Sequence, residues 1–107
     1  MPVRRSQRAD ANDNASLALG WANDAISAEP WSASAYEQRG LVLEAAGRYA
    51  SAAQDLRRAI SHEPTNFVHW VVLARIDTER GQLGAAVVDY RRAQRLRPLS
   101  PVFAPPQ

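Results

Sequence analysis

Apolar residues recur at intervals of three and four along most of this chain, with polar residues between them. From Asn14 to about Ala28 this stripe predicts an amphipathic helix. The same pattern predicts four further helices at about 34–46, 49–62, 67–80 and 83–97. Gly47 and Gly81 suit left-handed helix caps, and a proline follows every second helix. The pattern therefore predicts an all-α protein built from antiparallel helix pairs.

The helix-ending prolines have a fixed period, since the step from Pro30 to Pro64 equals the step from Pro64 to Pro98. Alanine repeats at the same interval in two more triplets, at positions 25, 59 and 93 and at 18, 52 and 86. This period, 34 residues from position 30 to 64 and again from 64 to 98, indicates stacked helical hairpins, none of which buries its apolar face alone. We expect a short solenoid of about two and a half repeats. Its parts are a disordered basic and polar arm at 1–13, a half repeat at 14–30, full repeats at 33–64 and 67–98, and a proline-rich tail at 99–107.

The two full repeats share a pattern of large, small, glycine, alanine, aromatic or leucine, alanine and proline positions. In the first copy these are Tyr36, Gly40, Gly47, Ala52, Leu56, Ala59 and Pro64. In the second they are Trp70, Ala74, Gly81, Ala86, Tyr90, Ala93 and Pro98, with Leu73 as a further large residue. This pattern resembles the tetratricopeptide repeat family over residues 14–98. Two departures place charge near the seam between paired helices: Arg39 stands where the second copy has Leu73, and Asp77 where the first has Leu43.

Local signals predict where the first helix of each full repeat begins. Ser34-Ala-Tyr-Glu37 fits a capping box, and Asn66 is a suitable cap for the second copy.

The family resemblance implies a concave binding groove lined by the first helix of each repeat. Carried over by register, its residues are Glu37, Gln38, Leu41, Glu44, Val68, Val71, Val72, Arg75 and Glu79. The valines with Leu41 would form an apolar floor, and the glutamates an acidic edge. Such a groove suits a protein or peptide segment with apolar anchors and a basic residue. The alternative is that another part of the chain, or a second copy, covers the valines.

The half repeat and the tail offer further surfaces. Leu17 or Trp21 is expected to be uncovered at the end of the stack, where an upstream helix or a second copy in a homodimer would dock; fraying is the plain alternative. In the tail, Leu99, Val102 and Phe103 are expected to fold back on the last helix pair. The alternative is an extended proline-rich ligand.

Composition narrows the function classes. The chain has 107 residues, a net charge of +2 and no cysteine, so disulfides and thiolate metal sites are excluded. Arginines alternate with acids on the helices, which is typical of a solvated face, so no nucleic-acid partner is expected. His62 and His69 fit no established metal-ligand spacing, and no nucleophile or phosphate-loop motif is present. We expect no metal, no cofactor and no enzyme activity.

A second, less specific resemblance concerns residues 30–48 and 97–101. These segments are similar to the soluble repeat tails of actinobacterial membrane proteins that resemble O-antigen ligases, and the exclusive use of arginine among basic residues favours a GC-rich bacterial source. This resemblance implies a membrane-associated soluble domain, attached to the membrane through segments upstream of residue 1. The predicted function is a scaffold for protein–protein interaction. The alternative is a stand-alone cytoplasmic adaptor or self-associating repeat protein.

Overall fold

The computed structural model describes the backbone of residues 2–103 and the side chains of residues 14–103. Five α-helices and one short 3-10 helix occupy this part of the chain. They are α1 (Pro2–Ala28), α2 (Ala33–Ala45), α3 (Tyr49–His62), α4 (Phe67–Glu79), α5 (Leu83–Leu96) and the 3-10 helix Pro101–Phe103. Across the described residues, no helix combines the length and apolarity needed to cross a membrane.

The repeat period governs the helix boundaries. Helices α4 and α5 begin one full period after α2 and α3, and α1, α3 and α5 end at positions 28, 62 and 96. Helix α1 therefore occupies the place of the second helix of a repeat, and the all-α solenoid is confirmed. Its backbone is helical from Pro2, although the sequence predicts a disordered arm at 1–13. The side chains of 1–13 and all of 104–107 lie outside the described residues, so the domain boundaries stay a prediction.

Glycine closes the first helix of each full repeat. Gly47 has φ of 77° and Gly81 has φ of 81°, the left-handed conformation that glycine adopts without steric cost. The amide of Arg48 donates to the Leu43 carbonyl at 2.8 Å, which satisfies an oxygen that the helix end would otherwise leave unpaired. These two glycine caps are confirmed.

The start of α2 differs from the prediction. Ser32, not Ser34, is the cap, and its hydroxyl accepts a hydrogen bond from the Ala35 amide at 3.2 Å. Ser32 lies one full period before Asn66, whose side chain caps α4 by accepting from Val68. The capping-box interpretation was wrong because the repeat register places Ser34 inside the helix.

The core lies between the first repeat and α4. We call this cluster the inter-repeat core; its buried members are Leu43, Ala52, Ala53, Leu56, Val72, Leu73 and Ile76. Gly40 lets α2 approach α3 closely, because a Cβ there would lie 2.4 Å from Leu56 Cδ2 and 3.3 Å from the Ala52 carbonyl oxygen. A second, smaller cluster joins α1 to the first repeat through Ile26, Ala33, Tyr36 and Ala59.

Arg39, the first departure from the repeat pattern, forms a two-pronged ion pair across the seam. Its Nε and Nη2 each donate to an Asp55 carboxylate oxygen at 2.8 Å, and its Nη1 donates to Asn23 Oδ1 at 3.1 Å. Asp55 is 3 % exposed. The hydrogen bond that Arg39 donates to Asp55 raises the pKa of Arg39, and both oxygens of the buried carboxylate are compensated by a charged donor.

The second repeat lacks that compensation. Asp89 occupies the position of Asp55, but Leu73 stands in place of Arg39, and Asp77 lies against Asp89 instead. Asp77 is completely buried, and its Oδ1 accepts from Arg80 Nη1 at 3.3 Å. Among the described residues, one oxygen of each carboxyl group has no hydrogen-bond partner. Burial, followed by the hydrogen bond and charge of Asp77, raises the pKa of Asp89 to about 7.

Candidate protein-binding surfaces

The predicted concave surface, formed by α2 and α4, is held together by ion pairs between its own residues. Arg75 Nε donates to Glu44 Oε2 at 2.8 Å, and Arg75 lies 3.8 Å from Glu79 Oε1. The hydrogen bond from Arg75 lowers the pKa of Glu44, whereas the hydrogen bond that the protonated Glu79 donates to Glu44 raises the pKa of Glu79. Two of the three predicted acidic residues are thus gathered around one arginine.

Glu37, the third, reaches from α2 to the buried His69 of α4. Its carboxylate contacts His69 Nδ1, while Nε2 lies 3.3 Å from the Asn66 side-chain amide and 3.6 Å from Glu63. His69 is 3 % exposed, so this contact belongs to the joint between repeats. One residue of the predicted acidic edge, Glu37, therefore helps to fix the position of α4 on α2.

The predicted apolar floor divides between surface and core. Val72 is 8 % exposed and lies in the inter-repeat core, with the half-buried Leu41 packed against that core. Val68 is 42 % exposed and Val71 is half-buried. Gln38 is also exposed. The accessible concave surface is consequently a narrow strip with Val68 as its exposed large apolar side chain.

An apolar groove lies between α4 and α5, at the C-terminal end of the stack. This end groove has a volume of about 700 Å³. The lining residues that define it here are Val71, Arg75, Leu83, Val87, Tyr90 and Arg91. Leu83, Val87 and Tyr90 are 62 %, 48 % and 40 % exposed. Sequence reasoning missed these three α5 residues, although their counterparts one repeat earlier are the apolar Tyr49, Ala53 and Leu56.

The opposite end of the stack is also apolar and exposed. Leu17 is 55 % and Trp21 is 71 % exposed on the outer side of α1, where the sequence predicts an uncovered surface. The buried Ala22 and the half-buried Leu19 and Ile26 instead face α2 and the two core clusters.

The tail covers only part of the last helix pair. The Phe103 ring packs edge-on against Tyr90, with centroids 5.0 Å apart, and lies 6.3 Å from Phe67. Leu99 is 96 % exposed and Val102 is 54 % exposed. Of the three residues predicted to fold back, Phe103 does so, whereas Leu99 and Val102 do not contribute to the core.

The histidines are engaged in packing. His62 stacks on the Tyr36 ring at a centroid distance of 5.6 Å, and His69 contacts Glu37. Over residues 14–103, no three His, Cys, Asp or Glu side chains converge as metal ligands would.

Comparison with known proteins bears on this architecture. Residues 33–76 match the family described as tetratricopeptide repeat. No curated protein gives a significant sequence match.

Two solved structures are similar in fold. The crystal structure of MamA aligns with a TM-score of 0.76 and 22 % identity over 82 % of this chain and 52 % of that protein. A second crystal structure of MamA protein aligns with a TM-score of 0.75 and 20 % identity over 91 % of this chain and 53 % of that protein. This chain spans about half the length of either. Residues 33–76 are thus similar to the tetratricopeptide repeat family, and the two crystal structures share the helical fold of this chain.

Proposed function

We propose that this domain is a scaffold that binds a protein segment on the concave surface of α2 and α4. The observation that carries the proposal is the exposure of Gln38, Val68 and Glu79, which we call the strip, on two helices whose relative position is held by Glu44 and Arg75. A surface ordered before binding saves the entropy of ordering it at the moment of binding. No catalytic role is proposed.

The chemistry of the strip defines the partner class. Val68 supplies an apolar contact, and the paired carboxylates of Glu44 and Glu79 around Arg75 leave the strip acidic on balance. An extended or helical segment with an apolar anchor and a lysine or arginine complements both features. Three residues predicted for this groove lie instead in the core or at the interface between repeats: Val72, Leu41 and Glu37. They support the surface and do not contact the partner.

Site-specific photo-crosslinking tests this assignment. A photoreactive residue placed at Val68 should capture a protein in cells that express the full chain, whereas the same residue at the exposed Gln54 on α3 should not. Glu79→Arg should reduce the yield of the Val68 adduct, because it reverses the charge that attracts a basic partner. Equal yields at Val68 and Gln54, or no adduct at either, would remove the concave surface as a binding site.

We further propose that the domain is the soluble part of a larger bacterial membrane protein, on the resemblance of residues 30–48 and 97–101. The alternative is a stand-alone cytoplasmic adaptor. An antibody against the domain distinguishes the two in fractionated cells. A band several-fold larger than 11.8 kDa in the membrane pellet supports the first, and a soluble band near 11.8 kDa supports the second.

A further inference from the structure

The end groove corresponds to a surface that carries a helix elsewhere in the same molecule. Shifted back by one repeat, its six defining residues become Glu37, Leu41, Tyr49, Ala53, Leu56 and Arg57. The four apolar members lie in the inter-repeat core or pack against it, where α4 contributes its own apolar side chains. Glu37 contacts His69 of α4, and Arg57 lies 4.0 Å from Asp77 of α4. The end groove therefore has the form of a helix-binding surface. Within the described residues no α-helix covers it, and only Phe103 of the 3-10 helix packs against its Tyr90.

The way α4 packs shows what such a helix must present. Helix α4 contributes Val72, Leu73 and Ile76 to the core, so its apolar positions are spaced by one and then three residues. In the end groove the acids that hold α4 are replaced, since Val71 stands for Glu37 and Thr78 for Glu44. The groove's charged lining consists of Arg75, which is already paired with Glu44 and Glu79, and of Arg91, which forms no ion pair within the described residues. A matching helix needs that apolar spacing, a carboxylate, and no basic side chain on the same face.

The outer face of α1 meets these conditions. Leu17, Ala18 and Trp21 repeat the α4 spacing, and Leu17 and Trp21 are more than half exposed. Asp24 lies one turn beyond Trp21 on the same side of the helix, and it is the only charged residue from position 14 to 28. When Leu17, Ala18 and Trp21 are aligned with Val72, Leu73 and Ile76 of α4, Gly20 takes the position of Arg75 and Asn14 that of His69. At the two positions where α4 carries Arg75 and His69, the α1 face therefore has no basic side chain. This matches the end groove, which lacks the two acidic side chains that pair with them in the first repeat.

We propose that the outer face of α1 from a second copy of this chain docks in the end groove, joining copies head to tail. The contact buries Leu17 and Trp21 against Leu83, Val87 and Tyr90, and the charge that the α1 face carries, Asp24, is opposite in sign to Arg91. Because the two surfaces differ, the contact is heterologous, and a pair of copies still has one free groove and one free α1 face. Copies therefore add successively into a ring or a linear chain. This contact uses the ends of the stack and does not depend on partner binding at the concave surface.

Sedimentation velocity on the 107-residue chain tests the proposal. The unmodified chain should form species larger than a dimer as its concentration rises. Trp21→Asp removes the docking face, and Val87→Asp removes the groove, so each variant alone should be monomeric. Both positions are exposed, 71 % and 48 %, so helix content and the midpoint of urea unfolding should be close to those of the unmodified chain. Gln54→Asp, on the exposed side of α3, is the control that leaves association unchanged.

Mixing the two variants gives the decisive result. The Val87→Asp chain retains an intact α1 face, and the Trp21→Asp chain retains an intact groove, so an equimolar mixture should form a one-to-one dimer and nothing larger. A mixture that stays monomeric overturns the proposal, as does an unmodified chain that is monomeric up to about 1 mM. Dimerisation lost in Val87→Asp but kept in Trp21→Asp would show groove-to-groove pairing and would also overturn it. None of these outcomes depends on crosslinking at Val68, so the two proposals fail separately.

Discussion

Replacement of Asp89 by asparagine should stabilise the protein above neutral pH. Asp77 and Asp89 lie together with one oxygen of each carboxyl group unpartnered among the described residues, and Asp89 is 8 % exposed. In the Asp89→Asn variant the side-chain amide can donate to the free oxygen of Asp77, and the repulsion between two carboxylates disappears. The fold retains its shape, because asparagine and aspartate have nearly the same volume.

The sign and size of the effect follow from the pKa of Asp89, which is about 7 in the folded chain against an ordinary value of 3.8. Between these values the folded chain binds a proton that the unfolded chain has released, so stability falls as pH rises towards 7. From pH 5 to pH 8 the change has an upper limit of about 2.6 kcal/mol, taking about 1.36 kcal/mol per pKa unit. Since water and Arg57 screen the carboxyl group, we expect about 1 to 2 kcal/mol.

Urea unfolding at pH 5 and pH 8, followed by circular dichroism, measures this effect. Asp89→Asn should raise the free energy of unfolding by about 1 to 2 kcal/mol at pH 8 and change it little at pH 5. Asp55→Asn is the matched control at the same repeat position. It should lower the free energy of unfolding by about 2 to 4 kcal/mol at both pH values, because it leaves the Arg39 charge without its partner. If Asp89→Asn is neutral or destabilising at pH 8, the unpaired-carboxyl interpretation is refuted.

Packing and capping give two further expectations, each with an internal control. Gly40→Ala should lower the free energy of unfolding by about 1 to 3 kcal/mol, because its Cβ would lie 2.4 Å from Leu56 Cδ2. Gly84 is exposed and has no atom within 4 Å of an added Cβ, so Gly84→Ala should instead raise the free energy of unfolding by about 0.5 to 1 kcal/mol. Ser32→Ala should cost about 1 kcal/mol of folding stability through the lost cap, and Ser34→Ala less than about 0.5 kcal/mol. Urea unfolding checks all four, and a larger loss for Ser34→Ala would contradict the assignment of Ser32 as cap.

Much of the architecture is local and was therefore predictable. Helix ends depend on glycine, proline and capping residues within one turn, so these signals and the period of Pro30, Pro64 and Pro98 located four of the five helices within one residue at each end. The exception at Ser34 shows the limit of a local motif. Ser32 and Ser34 both carry the required hydroxyl, and the position of α2 against α1 and α3 determines which of them begins the helix.

The binding surfaces were predictable only in part. Exposure at Leu17 and Trp21 follows from an amphipathic helix without its usual neighbour, which the repeat count alone implies. The sequence does not predict which of the groove residues are exposed and which are buried, because Val68, Val71 and Val72 lie on one helix but differ in burial. Helix periodicity places side chains on faces, whereas the rotation of α4 against α3 decides which valine enters the core.

The sequence by itself determined the repeat length, the number of helices and the solenoid class, because these depend on periodicity and on residues that end helices. Only the tertiary structure showed that Arg39 satisfies Asp55 while Asp89 meets a second carboxylate, since these partners are far apart along the chain. Only the tertiary structure, likewise, showed an open groove on α5. Pairing and exposure depend on which helices lie side by side, and long-range packing decides that.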